Sequence, residues 1–251
     1  MASVKPTAIL IVHGGYFLPP AWDALANRLR KAGFVVQCPR LPSCGDGRPP
    51  TAVREHDVAV VRKEAQELID AGHSILVLAH SYGGMVASDA ITQDLYASGG
   101  TGVVSLLYLS AWLLQPGDSL EDVFKRHGFQ SKVDLGNNGD GTVFAKNAPE
   151  SFYNDIEFET AEQLARDNVT HNWGAALGPM TGAPWKDLPT TYVHCARDMA
   201  ILHPLQQSMV QDAVTAGGKL VIETIDTGHC PFLSQPEEIV RIVESHVANV
   251  K

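Results

Sequence analysis

Residues 75–84 read Ile-Leu-Val-Leu-Ala-His-Ser-Tyr-Gly-Gly, an apolar run that ends in Ser81 with Gly83 two positions beyond. Apolar side chains without polar alternation suit a strand covered on both faces, and the small residues after Ser81 suit a sharp turn into a helix. The segment meets every position of Gly-x-Ser-x-Gly except the first, where Ala79 stands. A serine held clear of the chain at such a turn becomes a nucleophile if a neighbouring base takes its proton. Short Ser-x-Gly strings also occur in ordinary turns, so the remaining chain has to supply the partners.

Five more strand-like runs lie at 8–14, 34–38, 103–110, 190–196 and 219–225, most of them continuously apolar. Helical patterns separate them. Residues 20–31 follow a Pro-Pro start, and Val58, Val61, Ala65, Leu68 and Ile69 recur at helical spacing before Gly72. Further helices are expected over 82–97, 203–216 and 236–250, the last opening on Pro236-Glu237-Glu238, which suits a helix N-terminus. Alternating strands and helices imply parallel βαβ units with right-handed crossovers, hence an α/β fold with about six mostly parallel strands between helical layers.

Residues 113–187 break this rhythm, with Pro116-Gly117-Asp118, a Gly/Asn turn at 136–141 and several aromatics. A stretch of roughly 75 residues is too long for a structureless loop in a compact domain. It is expected to be an inserted cap over a core formed by 1–112 and 188–251. Within it, 132–135 and 142–145 read as a short hairpin and 160–168 as a helix.

The 251 residues are enough for one large domain, and 45% hydrophobic with 19% charged residues is ordinary for a globular protein. The net charge of −9, with scattered basic residues, argues against a nucleic-acid partner. No apolar run approaches the ~20 residues that span a bilayer, so no membrane association is expected. The first seven residues lack the features of a leader, which makes the cytoplasm the expected location. Cys38, Cys44, Cys195 and Cys230 show neither metal-ligand spacing nor the density of a disulfide scaffold, and free thiols are expected. Cys230 adjoins His229, but neighbours on an extended segment point to opposite faces, so no metal is expected there.

Three strand ends supply partners for Ser81. The first leads into His13-Gly14-Gly15-Tyr16, where glycines can turn a backbone amide toward a developing oxyanion. The fifth is followed by Asp198, a carboxylate at the edge where ligands bind parallel sheets, and the sixth by His229, the candidate base. Asp226, Asp187 and Asp212 are rival acids; Asp198 has the better strand-end position. His80 and His13 read as structural, His13 holding the oxyanion loop. The order Ser81, Asp198, His229 is the order that the α/β-hydrolase arrangement uses.

With HGGYFLPPAW at 13–22, LAHSYGGMVA at 78–87, ARDMAI at 196–201 and GHCPFLSQPEEI at 228–239, the chain resembles small α/β-hydrolases of the plant methyl esterase and hydroxynitrile lyase group, with related fungal and bacterial hydrolases. The resemblance implies the three-layer hydrolase fold without the antiparallel N-terminal strand pair. It also implies oxyanion donors at the amides of Gly15 and Tyr82. Gly14 and Cys230 stand where hydroxynitrile lyases of this group carry other residues, which disfavours cyanohydrin cleavage.

The function expected is hydrolysis of a small, largely apolar carboxylic ester, lactone or thioester, with a small-molecule substrate and no cofactor. Two alternatives share the fold: a cofactor-free lyase, cyclase or isomerase using His229 as acid and base, and a non-catalytic ligand receptor. Tyr16, Phe17, Trp112, His171, Trp173, Met180 and Trp185 are the pocket candidates, with His171 the polar one suited to orienting a substrate.

Overall fold

The computed structural model describes residues 6–250. Residues 1–5, which carry most of the segment read for a leader, lie outside it. In chain order the first four strands are β1 (Ala8–Val12), β2 (Val35–Gln37), β3 (Ser74–His80) and β4 (Gly102–Leu109), with helices α1 (Asp23–Lys31), α2 (Arg54–Asp70) and α3 (Gly83–Ala90) between them. After β4 come α4 (Leu120–His127), β5 (Leu135–Asn137), β6 (Thr142–Ala145), α5 (Ala148–Phe152), α6 (Phe158–Arg166) and β7 (His171–Asn172). The chain then returns to β8 (Thr190–Cys195), α7 (His203–Thr215), β9 (Leu220–Ile225), α8 (Pro231–Ser234) and α9 (Pro236–Val250).

Six strands form one sheet in the order β2-β1-β3-β4-β8-β9, every neighbouring pair parallel. Alternation along β1 shows why its sequence is continuously apolar. Leu10 and Val12 enter a core with Val61, Ala65 and Met85 of α2 and α3, while Ile9 and Ile11 enter a second core with Leu25 of α1, Phe232 of α8 and Ile239 of α9. The edge strand β9 leaves Val221 and Ile222 exposed, because helices cover it less completely. The chain runs from β1 outward to β2 and then back past β1 to β3, so the crevice beyond the ends of β1 and β3 is a topological switch point, where ligands bind such sheets.

Several boundaries differ from the sequence reading, and the helix expected over 160–168 lies at Phe158–Arg166. The helix expected over 82–97 stops at Ala90; Ile91 is extended (φ −90°, ψ 96°), and a short 3₁₀ turn occupies Gln93–Leu95. Arg62 of α2 donates to the Ala90 carbonyl at 2.8 Å and to Thr92 Oγ1, taking up a group that a longer helix would have used. The first hairpin arm lies at Leu135–Asn137 and not at 132–135. Its register is Leu135 opposite Ala145 and Asn137 opposite Val143, and β7 adds a third antiparallel strand to this small sheet. Among the described residues no helix is long and apolar enough to cross a membrane.

The stretch between β4 and β8 is tied down by a buried ion pair. Arg54 Nε meets Asp89 Oδ2 at 3.0 Å, and Arg54 also donates to the carbonyls of Leu177 and Pro179. Asp89 Oδ1 in turn accepts from the amides of Thr181 and Gly182. One Arg–Asp pair thus fixes residues 177–182 to both α2 and α3.

Candidate active site

Ser81 sits between the end of β3 and the start of α3 with φ 51°, a left-handed conformation that a serine adopts only when its surroundings hold it there. Two glycines let the turn close. A Cβ on Gly83 would run into the Val12 carbonyl oxygen, and one on Gly84 into that of Trp112, so backbone from β1 and from the segment after β4 packs directly on the turn. Ala79 fits where the usual motif has glycine because its methyl enters the core between the sheet and α3. Space beside Ser81 comes from Gly14, where a Cβ would lie 2.9 Å from Ser81 Cβ and from His80 Nδ1.

Asp198 and His229 meet at the same edge. His229 Nδ1 donates to Asp198 Oδ2 at 2.9 Å, both side chains being buried. Every lone-pair direction of this carboxylate is used. Oδ1 accepts from the amides of Ala200 (2.7 Å) and Ile201 (2.9 Å), while Oδ2 accepts from Ser110 Oγ and from Gln206 Nε2 (3.0 Å) as well as from His229. Both oxygens of this buried side chain are thereby satisfied by donors that the surrounding backbone and side chains hold in place. Gln206 has no freedom to turn its amide, because Oε1 accepts from the Cys195 amide and Nε2 also donates to the Ile201 carbonyl.

Two further histidines hold the backbone. His80 Nε2 donates to the His229 carbonyl at 2.8 Å, and the two rings lie 4.6 Å apart, so His80 fixes the loop that carries His229. Burial, with His229 nearby, pushes the His80 pKa far below the usual imidazole value. His13 Nδ1 donates to the Gly14 carbonyl and Nε2 accepts from the Leu41 amide, fastening the loop after β1; burial lowers its pKa to about 4. The amide of Tyr82, at the N-cap of α3, has no intrahelical acceptor, and the residues Tyr82 and Gly15 border the same space as Ser81.

That space is a cavity of about 630 Å³, lined by Ser81 and His229 together with Gly15 and Tyr82. Tyr16, Phe17, Trp112, His171 and Trp173 also line it. Met180 and Trp185 do not. Met180 is buried in the core where its backbone exchanges hydrogen bonds with Gly117 and Asp118, and Trp185 is fully buried against Gly218 beyond α7. Phe152 of α5, which no sequence pattern singles out, stacks on Tyr16 at 5.7 Å and lies 5.6 Å from the His229 ring. Ser110 and Gln206 were equally hidden, since they reach Asp198 from the residue after β4 and from α7 without any spacing that links them. Of the rival acids, Asp226 is exposed and paired with Arg197, Asp212 with Arg126 and His127, and Asp187 accepts from the Tyr96 hydroxyl. Cys230 is buried in the second core.

A model of the alpha/beta hydrolase family matches residues 9–242. The chain belongs to that family. Among curated proteins it is similar to probable hydrolase R7 of Phoma sp., 28% identical over 240 residues, which cover 94% of this chain and 96% of that protein. Among solved structures it is similar to a pyrethroid hydrolase from Sphingobium faniae (TM-score 0.72, 21% identity, 95% of this chain and 96% of that one). It is similar as well to a methylesterase from Arabidopsis (TM-score 0.73, 19% identity, 96% and 99%). These structures share the hydrolase fold with it, as the sequence motifs led one to expect.

Proposed function

We propose that this α/β-hydrolase cleaves a small, largely apolar carboxylic ester, lactone or thioester through Ser81, His229 and Asp198. The observation that carries the reading is the buried 2.9 Å hydrogen bond from His229 Nδ1 to Asp198, which leaves Nε2 as the imidazole's acceptor in a cavity shared with Ser81. His229 Nε2 takes the Ser81 proton as Oγ attacks the carbonyl carbon, and Asp198 stabilises the imidazolium that forms. The amides of Gly15 and Tyr82 receive the oxyanion, helped by the positive end of α3. His229 then returns the proton to the leaving alkoxide or thiolate, and water, deprotonated by the same nitrogen, attacks the acyl-enzyme and releases the acid and Ser81. The aromatic and aliphatic cavity wall suits an apolar acyl or alcohol group. Residues 113–187 act as the cap that shapes this wall, and the 28% identical relative's description as a probable hydrolase agrees with the chemistry.

The test is incubation with p-nitrophenyl acetate and butyrate and with a serine-directed fluorophosphonate. Ester turnover and labelling at Ser81, both lost in Ser81→Ala, are expected. A protein that labels nowhere and turns over neither ester refutes the hydrolase reading.

A further inference from the structure

A second buried polar chain reaches the same cavity through His171. Asp57 of α2 is fully buried and accepts three hydrogen bonds, from the Ser43 amide (2.9 Å), the Ser43 hydroxyl (2.6 Å) and the Tyr82 hydroxyl (2.6 Å). The Ser43 proton is therefore committed to Asp57, and the Ser43 oxygen offers lone pairs to the Cys44 thiol at 3.8 Å and to a nearer neighbour. That neighbour is His171 Nε2, at 3.2 Å. Nε2 must then carry the proton and donate.

Backbone pairing fixes the ring in this place. The Asn172 amide donates to the Ser43 carbonyl and the Gly45 amide to the Thr170 carbonyl, so β7 is stitched to the loop that bears Ser43. Tyr82 packs on one side of the ring at 4.6 Å and Tyr16 on another at 5.6 Å. The side chain is 2% exposed, and burial lowers its pKa to about 3, so it is neutral at any ordinary pH. A neutral imidazole protonated at Nε2 has a bare lone pair at Nδ1. Among the described residues nothing donates to Nδ1, and it faces Gly15 so closely that a Cβ there would lie 2.9 Å away.

Resting on the hydrolase reading above, we infer that His171 is a specificity residue: it accepts a hydrogen bond from a hydroxyl that the ester carries within a few bonds of its carbonyl, on the acyl or the alcohol side. The carbonyl oxygen is to lie at the Gly15 amide, and Nδ1 is the acceptor beside that glycine. An ester with only hydrocarbon in this position covers Nδ1 and leaves it unsatisfied, whereas a hydroxyl satisfies it. Asp57 and Ser43 are positioning residues in this scheme, since they set which nitrogen is bare.

Three ester comparisons test the idea: p-nitrophenyl butyrate against its 2-hydroxy and against its 3-hydroxy analogue, and propyl butyrate against 2-hydroxyethyl butyrate. At least one hydroxylated ester is expected to exceed its partner in kcat/KM by about tenfold or more, and the ratio should fall toward one in His171→Phe whatever the absolute rate. No preference in the parent, or one that survives in His171→Phe, overturns the inference. Where that variant does not fold, ¹⁵N NMR of the histidine-labelled parent, with Ser43→Ala to assign the signal, reads the tautomer: an unprotonated Nδ1 on His171 supports the proposal and a protonated one overturns it. A parent that cleaves no ester and is not labelled at Ser81 fails by the hydrolase reading instead, and the tautomer then still decides whether His171 presents an acceptor.

Discussion

Replacing Asp198 by Asn exchanges one carboxylate oxygen for an NH₂ group and reverses the logic of the whole hydrogen-bond cluster around His229. Oδ1 accepts from two backbone amides that cannot move, at 2.7 and 2.9 Å, so the asparagine oxygen must stay there and the new NH₂ must take the place of Oδ2. Three donors meet it. The Ser110 hydroxyl can rotate and accept, but Gln206 Nε2 is held by its contacts with Cys195 and Ile201 and stays pointed at the NH₂. Toward the new NH₂, at 2.9 Å, His229 Nδ1 can only accept, which favours the imidazole proton on Nε2 and removes the base proposed for Ser81. In a serine protease the corresponding change costs ~10⁴ in kcat, about 5 kcal/mol of barrier, and a loss of that size is expected here. One charge-assisted hydrogen bond becomes a repulsive contact as well, so stability should fall by ~2–4 kcal/mol. Steady-state hydrolysis of p-nitrophenyl butyrate, with circular dichroism to show that the variant is folded, reads both effects. A folded Asp198→Asn protein within tenfold of the parent kcat would refute the assigned role of Asp198.

Gly83→Ala places a methyl against the Val12 carbonyl oxygen, a backbone atom with no room to retreat, and should cost about 1–3 kcal/mol, or several degrees in melting temperature; an unchanged melting curve contradicts the packing described for the turn. Arg54→Met leaves Asp89 buried without its charge partner and frees the carbonyls of Leu177 and Pro179, for which ~3–5 kcal/mol of destabilisation is expected in urea titrations. Acid should weaken the fold through its neutral histidines. His13 and His171 keep folded-state pKa values of about 4 and about 3, below the ~6.5 of the unfolded chain, so between pH 6.5 and 4 the unfolded state binds protons that the folded state refuses. Their contribution is complete above pH 6.5 and at pH 5 has fallen by at most about 2 kcal/mol each. A urea midpoint in His13→Gln that drops between pH 7.5 and 5 as much as the parent's would remove His13 from this account.

How far the chain could be read without its fold depended on whether the relevant forces act along the sequence or across it. Continuous apolar runs marked the strands because a parallel strand between two helical layers buries both of its faces, and the six runs coincide with the six strands of the main sheet. Ser81, Asp198 and His229 could each be placed because each directly follows its own strand. The order of the strands then brings the three ends to one edge. Helix ends and hairpin register were less legible, since Arg62 from another helix closes α3 and side-chain pairing sets β5 against β6. Aromatics gave the weakest signal: Trp173 and Trp185 look alike in the sequence, yet one borders the cavity and the other lies in the core. Ser110 and Gln206 around Asp198, and the Asp57–Ser43–His171 chain, carry no local pattern at all. Their members are brought together by tertiary packing over separations of up to 128 residues, and hydrogen-bond partners at that distance leave no trace in spacing or periodicity. Sequence alone thus determined the sheet, the turn at Ser81 and the strand ends that carry its neighbours. Only the folded structure decided which nitrogen of each histidine is held, and by what.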